Sequence, residues 1–129
     1  MNKEVIKTKL KELSVLFVDD EKIVIDIMKE ILPMLFKKTY YAIDGHKGLE
    51  EFKKHLPDLV ITDLSMPKLD GLNMIKHMKT INANIKVVCI SGHNEEKNIQ
   101  ECKSLGCGYI VKPINSKILF KVLEEVLIT

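Results

Sequence analysis

Five short apolar stretches alternate along this chain with five longer stretches in which apolar residues recur at helical spacing. The apolar stretches, at residues 14–18, 39–42, 59–62, 86–90 and 109–111, contain β-branched and aromatic residues and are typical of buried strands. The helical patterns cover about residues 22–32, 48–55, 72–80, 94–105 and 116–127. This alternation predicts an α/β domain with a doubly wound, five-stranded parallel sheet, helices on both faces and right-handed crossovers.

Local signals refine the helical segments. Pro33 lacks an amide proton, so the first predicted helix is expected to kink or end there. Asp44 and Gly45 are typical of a turn, which predicts that the second helix begins at Gly48. The apolar residues of the first and last helices are expected to face the core. They are Ile23, Val24, Ile27, Met28, Ile31 and Leu32 in the first, and Ile118, Leu119, Val122, Leu123, Val126 and Leu127 in the last.

Length and composition indicate one globular domain. A chain of 129 residues lies in the common range for a single domain, and 46% hydrophobic with 29% charged residues is a globular composition. Residues 14–129 are expected to form the domain, and residues 1–13 a lead-in or short helix. The start of the chain has no signal-peptide core, and no apolar run approaches about 20 residues, so we expect a cytoplasmic protein that spans no membrane.

Charge and cysteine content exclude some classes of function. The net charge is only +2 and the lysines are spread along the whole chain, which argues against a dedicated nucleic-acid surface. Cys89, Cys102 and Cys107 cannot all pair with one another, and their spacing matches no complete zinc motif. We therefore expect reduced, mostly buried thiols.

Polar side chains stand at the ends of four of the predicted strands. Asp19 and Asp20 follow the first strand, Asp63 the third, Ser91 the fourth and Lys112 the fifth. Because the carboxyl ends of parallel strands meet at one edge of a sheet, these groups are expected to converge. Clustered carboxylates repel one another by roughly 4 kcal/mol per pair at an effective dielectric near 20, which a hard divalent cation offsets. The pattern predicts a Mg²⁺ site, with Mn²⁺ as the alternative ion.

The same groups suit chemistry on phosphorus. A carboxylate can act as a nucleophile toward phosphorus when positioning and charge neutralisation are supplied, so Asp63 is a candidate phosphoacceptor. Lys112 offers a point charge for phosphate oxygens, and Ser91 offers a hydroxyl donor. The competing interpretation is that the acids only cap helices and turns, which explains a single aspartate but explains poorly a set of polar groups at several strand ends.

The motifs at these strand ends resemble those of response regulator receiver domains of two-component signalling, of the chemotaxis-regulator (CheY-like) type. They are Asp19-Asp20, then Asp63 with Met66-Pro67 and Gly71, then Ser91, then Tyr109-Ile110-Val111-Lys112-Pro113, and the resemblance covers about residues 14–127. It implies a flavodoxin-like (βα)5 sheet with the strand order 2-1-3-4-5. The chain departs from the family's usual residues at Ser91, where threonine is more common, and at Gly92, where alanine is.

The resemblance also implies a role for each site residue. Asp63 would accept a phosphoryl group from a histidine of a partner kinase, and Asp20 and Asp63 would bind Mg²⁺ directly, with Asp19 acting directly or through water. The other implied roles are the Ser65 backbone carbonyl as a metal ligand, Ser91 and Lys112 on the phosphoryl oxygens, Tyr109 as an aromatic switch coupled to Ser91, a cis peptide bond before Pro113, and Ser65 and His93 as determinants of phosphoryl lifetime.

The predicted function is a phosphorylation-controlled binding module whose own chemistry is limited to self-phosphorylation and auto-dephosphorylation. Its expected partners are a sensor histidine kinase or phosphotransfer protein and an unidentified downstream protein or domain, and dimerisation through the last helices stays open. A haloacid-dehalogenase-type phosphohydrolase is an alternative, but it needs a second acid where this chain has Ser65. A flavodoxin-like nucleotide binder would need a phosphate-binding loop that the sequence lacks. A receiver-fold scaffold that is never phosphorylated also stays open, although the presence of Asp63, Ser91 and Lys112 weighs against it.

Overall fold

The computed structural model describes residues 3–64, 66, 70–92 and 96–128. The strands are β1 (Ser14–Val18), β2 (Lys38–Ala42), β3 (Leu59–Asp63), β4 (Lys86–Ser91) and β5 (Gly108–Val111). The helices are α1 (Lys3–Leu10), α2 (Lys22–Ile31), α3 (Gly45–His55), α4 (Gly71–Ile81), α5 (Glu96–Ser104) and α6 (Ser116–Ile128), with a short 3-10 helix at Leu32–Met34. Within these described ranges, no helix has the length and apolar character that crossing a bilayer requires.

The strands form one parallel sheet in the order β2-β1-β3-β4-β5. This confirms the predicted α/β fold class and the strand order that the resemblance implied. The register pairs Val18 of β1 with Thr62 of β3, and Asp63 of β3 with Ile90 of β4. The carboxyl ends of the three neighbouring strands therefore lie side by side at one edge of the sheet.

Apolar side chains form two core layers, one on each face of the sheet. In the first layer, sheet residues such as Phe17 and Ile61 pack with side chains of α1, α2 and α6. In the second, residues such as Val60 and Cys89 pack with side chains of α3, α4 and α5. The three cysteines are free and buried, as the sequence predicted. Because both faces of the sheet are covered, its central strands β1, β3 and β4 are nearly continuous apolar runs.

Helix α1 packs on the first core layer. Ile6 and Leu10 are only 1% and 0% exposed. The Lys9 ammonium donates to the backbone carbonyl of Leu127 in α6, with a nitrogen-to-oxygen distance of 3.2 Å. The segment before β1 is thus a short helix anchored to the last helix. The division of the chain at residue 14 stays a prediction.

Two helix ends follow from local chemistry. A short 3-10 helix containing Pro33 follows α2, where the sequence predicted a kink or an end. Helix α3 begins at Gly45, so the predicted start at Gly48 was wrong. The Asp44 carboxylate accepts a hydrogen bond from the backbone N–H of Lys47 at 2.8 Å, which makes Asp44 the N-cap of the helix. An Asp-Gly pair is compatible with a turn and with a helix cap, and the sequence alone did not distinguish them.

The orientation of α2 also differs from the prediction. Ile25 faces the core and is 4% exposed, whereas Ile23, Ile27 and Ile31 are 69%, 52% and 38% exposed. Ile118 of α6 is exposed as well, at 39%. The expectation that Ile23, Ile27, Ile31 and Ile118 face the core was wrong, and Ile25 was not among the residues predicted to face it. A helix with a broad apolar surface buries only the part that packs on the sheet.

Candidate functional site

An acidic site lies at the carboxyl ends of β1 and β3. Asp63 is the last residue of β3, and Asp19 and Asp20 directly follow β1. One carboxylate oxygen from each of the three residues lies within 4.8 Å of the other two. Asp19 and Asp63 are buried, with 2% and 4% of their surface exposed, while Asp20 is exposed. The fold thus brings together carboxylates that lie more than forty positions apart in the chain.

Burial dominates the electrostatics of Asp19. Desolvation raises the pKa of its carboxyl above the ordinary value, because burial disfavours the charged form. The backbone N–H of Glu21 donates to Asp19 Oδ1 at 2.9 Å and lowers the pKa in part. The negative charges of Asp63 and Asp20 raise the pKa of Asp19, and the positive charge of Lys112 lowers it. Among the described groups, the positive charge of Lys112 and the Glu21 N–H therefore offset the effects of burial and of the neighbouring acids only in part.

Lys112 and Ser91 approach the acids from β5 and β4. The Lys112 ammonium lies 3.5 Å from Asp63 Oδ2. Ser91 is 1% exposed at the end of β4, and its carbonyl accepts a hydrogen bond of 2.8 Å from the backbone N–H of Lys112. The peptide bond between Lys112 and Pro113 is cis. Among the described residues, a Cβ at Gly92 would come within 4 Å of Lys112 Cδ alone, at 3.9 Å, so these residues leave room for alanine at this position.

The other candidate residues differ in what the structure says of them. Tyr109 is partly buried and pairs with Cys89 across β4 and β5, which places it on the same face of the sheet as Ser91. Ser65 and His93 lie outside the described residues. Their assigned roles, the Ser65 carbonyl as metal ligand and both residues as determinants of phosphoryl lifetime, stay predictions.

The acidic donor set is chemically suited to a hard divalent cation. Mg²⁺ prefers oxygen ligands and is usually held by one or two carboxylates together with water and phosphate oxygens. Within the described part of the chain, Asp19, Asp20 and Asp63 are the group of His, Cys, Asp or Glu side chains close enough to share an ion. With Lys112 beside Asp63, the pocket is compatible with Mg²⁺ binding and with acceptance of a phosphoryl group.

Sequence reasoning missed two contacts that shape the chain directly after Asp63. The Thr62 hydroxyl donates to the backbone carbonyl of Asp63 at 2.8 Å. A Cβ on Gly71, the first residue of α4, would lie only 2.5 Å from the same oxygen. Helix α4 is capped there by Asp70, whose carboxylate accepts from the backbone N–H of Asn73 at 2.9 Å. The available signal for Thr62 was a hydroxyl residue at the end of an apolar strand.

Comparison with known proteins identifies similar chains. The family model of the response regulator receiver domain matches residues 15–124. The chain is 38% identical over 119 residues to chemotaxis protein CheY of Treponema pallidum, covering 87% of this chain and 78% of that protein. It is 33% identical over 102 residues to sporulation initiation phosphotransferase F of Bacillus subtilis, covering 78% and 82%. The structure is also similar to a chain of the CheX-CheY-BeF3-Mg complex from Borrelia burgdorferi, with a TM-score of 0.81 and 27% sequence identity. The match covers 90% of this chain and 90% of that chain.

Proposed function

The chain belongs to the response regulator receiver domain family, whose members are signalling domains, and from this membership we propose that Asp63 is its phosphoacceptor. The observation that carries the assignment is the surroundings of this carboxylate. Asp63 is 4% exposed, and one of its carboxylate oxygens lies within 4.8 Å of carboxylate oxygens of Asp19 and Asp20. The Lys112 ammonium lies 3.5 Å from Asp63 Oδ2. Asp19 and Asp20 then serve as metal ligands, and Lys112 as the partner of the phosphoryl oxygens.

The proposed reaction is the transfer of a phosphoryl group from a phosphohistidine to Asp63. A carboxylate oxygen attacks phosphorus, and the new O–P bond forms as the P–N bond breaks. The electron pair of that bond leaves with the donor imidazole, which is protonated on its other nitrogen. The Lys112 ammonium and the Ser91 hydroxyl hold the phosphoryl oxygens. Attack of water on phosphorus later breaks the new O–P bond, which releases inorganic phosphate and regenerates the Asp63 carboxylate. The domain's own chemistry is thus self-phosphorylation and auto-dephosphorylation.

We assign metal binding to Asp19, Asp20 and Asp63, with the backbone carbonyl of Ser65 as a further ligand. The ion is Mg²⁺, with Mn²⁺ as the alternative, because all of these donors are oxygens. When bound, the ion supplies positive charge that offsets the acids and the phosphoryl oxygens. The structure of a relative that contains BeF3 and Mg²⁺ supports the assignment. The Glu21 N–H holds the Asp19 carboxylate in place at 2.9 Å.

The proposed output is a change in the surface formed by β5, α5 and α6. Ser91 moves toward the phosphoryl group, Tyr109 follows on the same face of the sheet, and an existing equilibrium shifts. The partners are a sensor histidine kinase or phosphotransfer protein upstream and a protein or domain downstream. Because a histidine kinase uses ATP to phosphorylate its histidine, we propose that this exchange takes place in the cytoplasm. Ser65 and His93 are proposed to set the lifetime of the phosphoryl group.

The test is intact mass spectrometry after incubation with acetyl phosphate. We expect one added phosphoryl group in the presence of Mg²⁺, none after chelation of the metal, and none in Asp63→Asn. Asp70→Asn is the matched control, because Asp70 is an exposed helix cap and asparagine caps a helix equally well. Labelling that persists in Asp63→Asn would place the acceptor elsewhere. The absence of labelling in the wild-type protein would favour a scaffold that is not phosphorylated.

A further inference from the structure

A buried hydroxyl interrupts the apolar sequence of β3 immediately before the phosphoacceptor. Leu59, Val60 and Ile61 are 0%, 0% and 2% exposed, and Thr62 is 0% exposed as well. Burying a hydroxyl is unfavourable unless it forms a hydrogen bond, so an apolar residue would be the simpler choice for this position. The buried Thr62 hydroxyl therefore needs a hydrogen-bond acceptor, and the acceptor that it contacts indicates its structural role.

That partner is the backbone of the phosphoacceptor. The Thr62 hydroxyl donates to the Asp63 carbonyl oxygen at 2.8 Å. The N–H at the other end of the same peptide group belongs to Leu64, and it donates to the carbonyl of Ile90 at 3.0 Å. The peptide group that leaves the Asp63 Cα is thus held at both ends, once by a side chain of β3 and once by the backbone of β4.

The start of helix α4 also packs against this peptide group and restricts its movement. A Cβ built on Gly71 would lie 2.5 Å from the Asp63 carbonyl oxygen and 2.7 Å from Leu64 Cα. The start of the helix therefore approaches this backbone as closely as a residue without a side chain allows. The Gly71 N–H also donates to the Leu64 carbonyl at 3.1 Å. A rotation of the peptide group at Asp63 would have to disturb these contacts.

We infer that Thr62 is a positioning residue for phosphoryl transfer: its hydroxyl fixes the peptide group of Asp63 and so directs the Asp63 carboxylate toward Lys112 and the other acids. The inference rests on the proposed function, since Asp63 has to be the acceptor. Valine at this position would fill the same volume but would offer no donor to the carbonyl. The carboxylate would then sample more orientations, and a displaced nucleophile reacts more slowly.

The test compares Thr62→Val, Thr62→Cys and Thr62→Ser, which offer no donor, a weak donor and a full hydroxyl donor. The measured quantity is the rate of labelling by acetyl phosphate at saturating Mg²⁺. We expect Thr62→Val to be about tenfold slower than wild type, Thr62→Cys intermediate, and Thr62→Ser within about twofold of wild type. A second readout needs neither metal nor phosphate. Hydrogen exchange at the Leu64 amide should be faster in Thr62→Val, because the peptide group between Asp63 and Leu64 loses the hydrogen bond from Thr62 to its carbonyl oxygen.

Two control variants test whether slower labelling could result from lower stability, or from the loss of a hydroxyl elsewhere in the protein, instead of from the loss of positioning at Asp63. Thr80→Val removes an exposed hydroxyl that bonds to the His77 carbonyl at 2.6 Å, and it should label at the wild-type rate. Val15→Ala creates a cavity at a residue that is 0% exposed in β1, away from the site, and should destabilise the fold without slowing labelling. If Thr62→Val does not fold, the difference between the serine and cysteine variants carries the same comparison.

The inference is overturned by a wild-type rate in Thr62→Val, by equal rates in the serine and cysteine variants, or by equal slowing in Val15→Ala. Failure of the proposed function looks different. In that case the wild-type protein takes up no phosphoryl group, or Asp63→Asn still does, whatever the Thr62 variants show. The Leu64 exchange measurement then still reports whether the hydroxyl holds the peptide group.

Discussion

Replacement of Lys112 by methionine separates two electrostatic roles of this side chain. The ammonium lies 3.5 Å from Asp63 Oδ2. At an effective dielectric of about 20, this separation corresponds to an attraction of about 5 kcal/mol. The Lys112 side chain is 34% exposed, so solvent screening reduces the net effect. We take about 1.5 kcal/mol as the remaining attraction, between the values for exposed and buried pairs.

Methionine at position 112 leaves Asp63 without this partner and removes one positive charge from the site. Mg²⁺ should therefore bind Lys112→Met about tenfold more tightly than wild type, because about 1.4 kcal/mol corresponds to a factor of ten. Labelling by acetyl phosphate should nevertheless be slower at saturating Mg²⁺, because the phosphoryl oxygens lose a positive charge. Metal affinity and phosphorylation rate thus change in opposite directions, which a general disruption of the site would not produce.

Isothermal titration calorimetry with Mg²⁺ measures the first effect, and intact mass spectrometry over time measures the second. The matched control is Lys76→Met, since Lys76 is 54% exposed and lies 3.9 Å from Glu101, in an ion pair on the surface. Both quantities should stay at the wild-type value in this control. Weaker or unchanged Mg²⁺ binding in Lys112→Met would refute the electrostatic argument, and unchanged labelling would refute its role toward the phosphoryl group.

Three further predictions concern stability. Leu10→Ala should lower the free energy of unfolding by about 3 kcal/mol in urea denaturation, because Leu10 is 0% exposed and anchors α1; a change below about 0.5 kcal/mol would mean that α1 contributes little to the fold. Gly71→Ala should lower the free energy of unfolding by about 1–3 kcal/mol in the same assay and slow labelling, since its Cβ would lie 2.5 Å from the Asp63 carbonyl oxygen. Gly92→Ala should be tolerated, because the nearest described atom, Lys112 Cδ, would lie 3.9 Å from the new Cβ. Burial raises the pKa of Asp19 above 3.8, so without metal the folded protein binds a proton at this carboxyl more tightly than the unfolded chain does. The contribution of Asp19 to the free energy of unfolding should therefore fall as the pH rises from about 3.8 through the raised pKa. Asp19→Asn should remove that pH dependence and raise the free energy of unfolding at pH 7 by about 1 kcal/mol without metal, as measured in urea with a chelator present.

The strands were predictable because each lies in a sheet covered on both faces. Their apolar runs ended close to the observed positions, and the acids after Val18 and at Asp63 marked the edge of the sheet. The helices were less predictable. Spacing reveals that a helix has an apolar surface, but Ile27 shows that it does not reveal which part of that surface packs on the sheet. The start of α3 was missed for a related reason, since Asp44 has the same local signal in a turn and in a cap.

The candidate site also has a part that was predictable from the sequence and a part that was not. Convergence of the acids required only the rule that parallel strands end at one edge, so Asp19, Asp20 and Asp63 could be grouped from the sequence. The support of the Asp63 backbone could not be predicted, because it depends on how closely α4 crosses the end of β3. Gly71 leaves room for that approach, and the Thr62 hydroxyl holds the carbonyl that the helix approaches. Residues that never contact the phosphoryl group would then set the orientation of the acceptor, and the rate of labelling would depend on a hydroxyl group buried in the sheet.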